Sequence, residues 1–188
     1  AFMRQGFATT SVDEVAKLIG ATKGSVYYYF RNKTELFCAV HRRAMDMNLG
    51  AIRPLAQGPG TPRQRLAAMV EAHAMLMLTA LPYQRVTVQG LEMNLLGRTT
   101  AGERSLLMEI VALRDEYEAL FRQVLAEGMA AGEFRQGDPR LVVKPLLGAL
   151  NWTALWYEPR PRETAATRRR LAAGIARFAL AGAVGIPE

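Results

Sequence analysis

Residues 10–37, TSVDEVAKLIGATKGSVYYYFRNKTELF, carry three helix starts and two helix stops in one short run. Few folds accommodate that density of signals. Ser11 is followed three residues later by Glu14, a capping box that satisfies two otherwise unpaired backbone donors. Val12, Val15, Ala16 and Ile19 then repeat at helical spacing and define one apolar face. Gly20 can take the left-handed conformation that ends a helix. Thr22 caps a second helix, Lys23 to Tyr29, and Asn32 with Glu35 starts a third. The short link between the first two is the connection of a helix-turn-helix.

The second of these helices has an unusual surface. Only Val26 and Phe30 read as core anchors, at spacing i and i+4; Lys23, Gly24, Ser25 and the three tyrosines are small, hydrogen-bonding or aromatic. So short a helix is not stable by propensity alone, so it must pack on neighbours and leave its polar side free. Lys23, Ser25 and Tyr27 suit phosphate oxygens and base edges. Gly24 removes a side chain where a duplex backbone would approach. Lys33 lies in the first turn of the next helix, where free N–H groups also favour a phosphate. Three consecutive tyrosines cannot all face one core, which argues against a plain helical hairpin.

The Tyr-Tyr-Tyr-Phe run of residues 27–30 precedes Asn32-Lys33 and Glu35-Leu36, at a fixed distance from the Ala16-Lys17-Leu18-Ile19-Gly20 turn. The pattern resembles the DNA-binding domain of the TetR family of bacterial transcriptional repressors. The resemblance is specific over about 40 residues. It implies DNA contacts at Thr10, Ser11, Thr22, Lys23, Gly24, Ser25, Tyr27, Tyr28 and Lys33. It also implies a longer first helix than Ala1 to Gln5 supplies, so its beginning is expected to be missing here.

Composition agrees. Half of the 188 residues are hydrophobic, enough for a sizeable core, and the formal net charge of +7 favours anionic partners such as nucleic acid. The single cysteine, Cys38, rules out an internal disulfide and fits a reducing cytoplasm. No apolar run reaches the ~18 residues of a membrane span, and the N-terminus does not read as a signal peptide.

Helical periodicity continues to the end, with no period-two stretch and no repeat. Ala1 to Gln5 reads as the tail of a helix ended at Gly6. Phe2, Phe7, Val15, Leu18, Val26, Phe30, Leu36 and Phe37 would form the small core of the head. The helix from Lys33 passes Leu49 toward Leu55 and is broken by Pro54, Gly58, Pro59 and Gly60. Later helices are expected at Arg63 to Leu81, Tyr83 to Leu96, Ala101 to Ala131, Arg140 to Tyr157 and Glu163 to Val184. The expected fold is all-α: a helix-turn-helix domain over 1–40 with a truncated first helix, and a helical effector-binding and dimerisation domain over 41–188.

The residues offer little for catalysis. His41 and His73 have no acidic partner at metal-ligand spacing, and there is no phosphate loop, nucleophile elbow or HExxH. No catalytic residue, metal or cofactor is therefore expected. His73 reads as a half-buried polar residue or a ligand contact, and Cys38 as core. The cluster Arg160, Arg162, Arg168, Arg169 and Arg170 reads as a solvated helix start or an anion site. The methionine-dense helix with Met69, Met75 and Met77 is core or an adaptable pocket wall.

Trp152 and Trp156 are i and i+4 and share a helix face, as core, as a dimer contact or as a ligand motif. The run Asn151-Trp152-x-x-x-Trp156-Tyr157-x-Pro159 resembles a subset of TetR-like proteins linked to fatty-acid, steroid or other acyl-CoA metabolism. That resemblance implies an acyl-CoA thioester as effector. An apolar pocket between helices is expected from Met75, Leu78, Met93, Met108, Tyr117, Phe121, Asn151 and Trp152. Asn151 would offer its amide to the ligand.

The stripe Leu171, Ile175, Phe178, Ala179 and Gly182 points to a homodimer, and the resemblance implies a four-helix interface. The expected activity is a cytoplasmic repressor on a palindromic operator in double-stranded DNA, released by a small apolar or amphipathic effector, with no membrane partner. A multidrug-type sensor of the same fold and an effectorless helical DNA-binding or adaptor protein are the alternatives.

Overall fold

The computed structural model describes residues 1–95 and 100–184, the side chains of 91–95 and 184 excepted. The described residues form α-helices and no strands. They are α1 (Phe2–Thr9), α2 (Val12–Leu18), α3 (Lys23–Tyr29), α4 (Lys33–Ala56) and α5 (Pro62–Thr79). Then follow α6 (Leu81–Leu95), α7 (Ala101–Ala130), α8 (Pro139–Asn151), α9 (Thr153–Trp156) and α10 (Ala165–Val184). They pack as two units, Ala1–Asp46 with Pro82–Arg114 and Met47–Leu81 with Asp115–Glu188.

In the first unit the three cap signals form as expected. Ser11 and Glu14 make the capping box of α2, Thr22 Oγ1 accepts from Ser25 N at 3.1 Å, and Asn32 Oδ1 accepts from Glu35 N at 2.8 Å. Gly20 turns the chain at φ 66°, where the Ala21 N–H reaches back to Ala16 O at 2.9 Å. Gly6 does not end α1. It kinks it at φ 80°, and the helix resumes to Thr9. Phe2, Val12, Ala16, Val26, Leu36, Phe37 and Val86 form the core, flanked by Phe7, Val15, Phe30 and Val40. Phe37 stands edge-on to both Phe2 (5.2 Å) and Phe7 (5.1 Å).

One expected core residue, Leu18, and one residue of the expected apolar face, Ile19, are absent from it. Leu18 lies about 240° around α2 from Val12, off the buried face, and is exposed. Ile19 is in phase, but α2 ends there, and the side chain swings into solvent. A second small cluster joins α4 to α7 through Cys38, Leu107 and Ile110. Cys38 is core as expected, and burial pushes its thiol up to about 11. Thr34 Oγ1 donates to Glu103 at 2.6 Å, and Arg42 pairs with Glu109 beside that cluster.

The second unit is built on α5, which packs against α10, α8 and α9. Thr61 and Gln64 make its capping box with Pro62 at the first position. α10 packs on α5 and α8, and its buried face is made of alanines: Ala172, Ala176, Ala179 and Ala183. Ala179 therefore belongs to this inner face and not to the outward stripe with Phe178. Pro54 does not break α4 at once. The helix runs two residues further to Ala56. The expected single helix over 140–157 is two, α8 and α9, meeting at Trp152.

Candidate nucleic-acid interface and interior polar groups

Val26 is the one buried residue of α3. Lys23, Gly24, Ser25, Tyr27, Tyr28 and Tyr29 all stand in solvent, Tyr28 at 83%. A helix held by one residue contributes little to stability, so its outer face is free for recognition. The residues on that face are not idle. Lys23 Nζ donates to Asp13 at 2.8 Å and lies 5.9 Å from the Tyr27 ring centroid. The Asp13 hydrogen bond, and then its charge, raise the Lys23 ammonium above its ordinary value. The Thr22 and Ser25 hydroxyls are 2.8 Å apart, and Ser11 Oγ donates to Glu14 at 2.9 Å. Tyr28 and Tyr29 meet edge to face at 5.0 Å.

Two expected DNA contacts have other work. Thr10 is buried, and its hydroxyl donates to Gly6 O at 2.7 Å. Lys33 Nζ donates to Phe7 O at 2.8 Å and Ala8 O at 3.0 Å and sits 4.5 Å from the Phe7 ring centroid. Sequence spacing hid this, because both partners lie in α1, more than twenty positions upstream. Lys33 ties α1 to the start of α4 instead of offering its ammonium outward.

The expected ligand residues are dispersed. Leu78, Tyr117 and Phe121 are buried in the second unit, with Met75 and Asn151 half-buried there. Met108 is in the first unit and 60% exposed, because it sits about 100° around α7 from buried Leu107. Met93 falls among the side chains outside the described residues. Trp152 is 63% exposed and faces α10 with Trp156. These two, with Thr153, Leu171, Ile175 and Phe178, line an open apolar groove of about 640 Å³. Of the arginine cluster, Arg170 edges this groove and Arg168 lies 3.8 Å from Glu163, while Arg160, Arg162 and Arg169 stand in solvent.

Asn151 finds a partner inside the protein. Its Oδ1 lies 3.1 Å from His73 Nε2, and His73 Nδ1 lies 2.7 Å from the Tyr117 hydroxyl. An amide oxygen only accepts, so Nε2 carries the hydrogen, and Nδ1 accepts from Tyr117. Burial holds His73 neutral, down to about 4, and raises the Tyr117 hydroxyl above its ordinary range. His73 is thus fully buried and fully bonded, which spacing along the sequence could not reveal. His41 is as buried but bonded to nothing: both ring nitrogens lack a partner.

Among the described residues no group of three or more His, Cys, Asp or Glu could hold a metal ion. No single helix among them is long and apolar enough to cross a membrane.

Comparison with known proteins fits this geometry. Residues 1–40 match the family described as bacterial regulatory proteins, tetR family, and residues 59–183 match the tetracyclin repressor-like C-terminal domain. The fatty acid metabolism regulator protein of Bacillus subtilis (strain 168) is 24% identical over 149 residues, 79% of this chain and 73% of that protein. The TetR-family regulator PfmR from Thermus thermophilus superposes with a TM-score of 0.79 at 25% identity, covering 100% of this chain and 94% of that one. AibR, solved in complex with isovaleryl coenzyme A and operator DNA, superposes with a TM-score of 0.76 at 22% identity, covering 94% and 90%.

Proposed function

The chain belongs to the TetR family of transcriptional regulators, and from that premise we propose that it is a homodimeric repressor released from a palindromic operator by an acyl-CoA thioester. The coarser part is plain: this is a DNA-binding helix-turn-helix regulator and not an enzyme. The observation that carries the DNA reading is α3, with Val26 its one buried residue and the other six exposed. Residues 1–40 form the DNA-binding head and 41–188 the effector-binding and dimerisation domain. Lys23, Gly24, Ser25, Tyr27 and Tyr28 face the major groove, and Ser11 and Thr22, at the helix starts, face phosphates.

The effector reading rests on three supports. The B. subtilis relative is a fatty acid metabolism regulator, and the same fold holds isovaleryl coenzyme A in AibR. The third is the apolar interior of the second unit, where Leu78, Tyr117 and Phe121 are candidate walls bordered by Met75 and Asn151. Release requires that the ligand prefer one spacing of the two heads over the other. The test titrates acyl-CoAs, the matching free acids and planar cationic drugs into a complex of the protein with operator DNA selected from a random library. Release by an acyl-CoA supports the reading. Release by the drugs and by no acyl-CoA rejects it in favour of a multidrug-type sensor.

A further inference from the structure

α3 carries a single charge, Lys23 at its first position. A lysine there is set against the helix, whose first turn exposes N–H groups and favours acids. Its ammonium is nevertheless held twice. Nζ donates to Asp13 Oδ2 of α2 at 2.8 Å and lies 5.9 Å from the ring centroid of Tyr27, one turn further along α3. Asp13 has a local candidate partner in Lys17, four residues on along α2, yet it bonds across to α3. Both side chains stand at the surface, 48% exposed for Asp13 and 55% for Lys23.

So exposed a pair adds little to stability. The packing of α2 and α3 does not depend on it either, because Val12, Ala16 and Val26 are buried together in the core of the head. What the pair changes is the charge that α3 presents. A free lysine on a recognition helix bonds any phosphate, and each such contact adds affinity for every sequence alike. Held between Asp13 and Tyr27, Lys23 has its charge offset and its stem oriented. An ammonium has three donors, of which the carboxylate takes one. The other two suit the acceptor edge of a base, such as O6 and N7 of guanine, and the N-terminal residues of a recognition helix are the ones that reach base edges.

We propose that Asp13 determines the sequence specificity of this regulator as a positioning residue, keeping Lys23 off the phosphates and directing it to base edges. This rests on the DNA reading of α3 and goes beyond it, since Asp13 need not touch the duplex itself. An acidic side chain on a DNA-binding head lowers affinity for all DNA. What it raises here is the ratio of operator binding to indiscriminate binding, the quantity that decides where a regulator sits among many competing sites.

Two duplexes of equal length serve as probes for the full chain, an operator selected from a random library and a scrambled version of it, each titrated over a range of salt. Asp13→Asn is expected to bind the scrambled duplex roughly threefold to tenfold tighter at ~100 mM salt, with a salt slope steeper by about 1 for each α3 engaged. Operator binding gains less, so the ratio falls. Asp13→Glu keeps the charge and is expected to keep most of the ratio. In a Lys23→Gln background, Asp13→Asn is expected to leave slope and ratio unchanged. Equal tightening on both duplexes, or the same change with Lys23 replaced, overturns the proposal and makes Asp13 a bare surface charge. An unchanged ratio in Asp13→Asn overturns it as well. If the unaltered chain does not distinguish operator from scrambled duplex, the DNA reading of α3 fails and the role of Asp13 falls with it.

Discussion

Lys33 and the two histidines show how a single residue's partners decide its role. Lys33 has the spacing of a phosphate contact, yet its ammonium closes on two carbonyls of α1. Lys33→Met keeps the stem and removes the donors. It is expected to cost about 1 kcal/mol in urea unfolding, because the site is only half-buried, and to leave the salt dependence of DNA binding unchanged. Unchanged stability with a salt slope smaller by about 1 would return Lys33 to the phosphates. The histidines set the response to acid. Both are held down to about 4 in the folded chain, against an ordinary value of 6.5. Between these values the unfolded chain binds protons that the folded chain refuses. Their contribution is therefore complete above pH 6.5 and is lost as pH falls toward 4, at about 1.4 kcal/mol per pH unit for each histidine. The carboxylates that hydrogen bonds hold low, such as Glu103 and Glu127, lose theirs only below about pH 4.5. Urea midpoints at pH 7, 6 and 5 are expected to fall steadily, and His41→Phe to remove about half of the slope. A flat profile across that window contradicts buried neutral histidines.

At the scale of elements, sequence and structure part company where neighbours outweigh spacing. The caps were legible: Ser11 with Glu14, Thr22, Asn32 with Glu35 and Gly20 all act as their chemistry dictates, because a cap is settled within four residues. Which face of a helix is inward was less legible. The large side chains of α10 advertise an apolar stripe, yet the buried face is Ala172, Ala176, Ala179 and Ala183, since small residues let neighbouring helices come close. Trp152 and Asn151 are adjacent, and one faces the groove while the other bonds His73. The exposed face of α3 follows from its own sequence, whereas the partners of Thr10 and Lys33 lie in α1 and do not. Gly128 is the same lesson in the opposite direction. In a helix interior Gly→Ala normally gains up to about 1 kcal/mol. Here a Cβ would sit inside the Phe134 ring, which folds back on α7 after the Gly132 turn at φ 70°. Gly128→Ala is expected to destabilise by about 1–3 kcal/mol, and Phe134→Leu in the same chain to recover part of it. Thermal unfolding of the single and double variants checks this; a stabilised Gly128→Ala contradicts the contact.

For the whole molecule, the open question is where two copies meet. Regulators of this family act on DNA as dimers, and a two-fold dimer must present one self-complementary patch. The groove along α8, α9 and α10 is a candidate for it. Trp152, Trp156 and Phe178 are exposed together, Phe178 at 76%, although the alanine face already satisfies α10 within its own unit. Gly148 and Gly174 line the same groove, and a Cβ on either would meet nothing within 4 Å, so room is left for a partner's side chain. Exposed aromatics around such an open groove are what an interface needs and what a lone chain avoids. Phe178→Glu tests the face with little risk to the fold, since Phe178 is outside the core. A buried aromatic anchor is worth about 2 kcal/mol or more, and a two-fold axis counts each substitution twice. The pair of losses, about 4 kcal/mol, corresponds to roughly a thousandfold weaker dimer. Light scattering at micromolar concentration is then expected to give twice 20.8 kDa for the unaltered chain and 20.8 kDa for the variant. A variant that stays dimeric, with unchanged dissociation on dilution, moves the interface to another face. A dimer lost together with helical circular dichroism would instead mean that Phe178 supports the fold, contrary to its exposure.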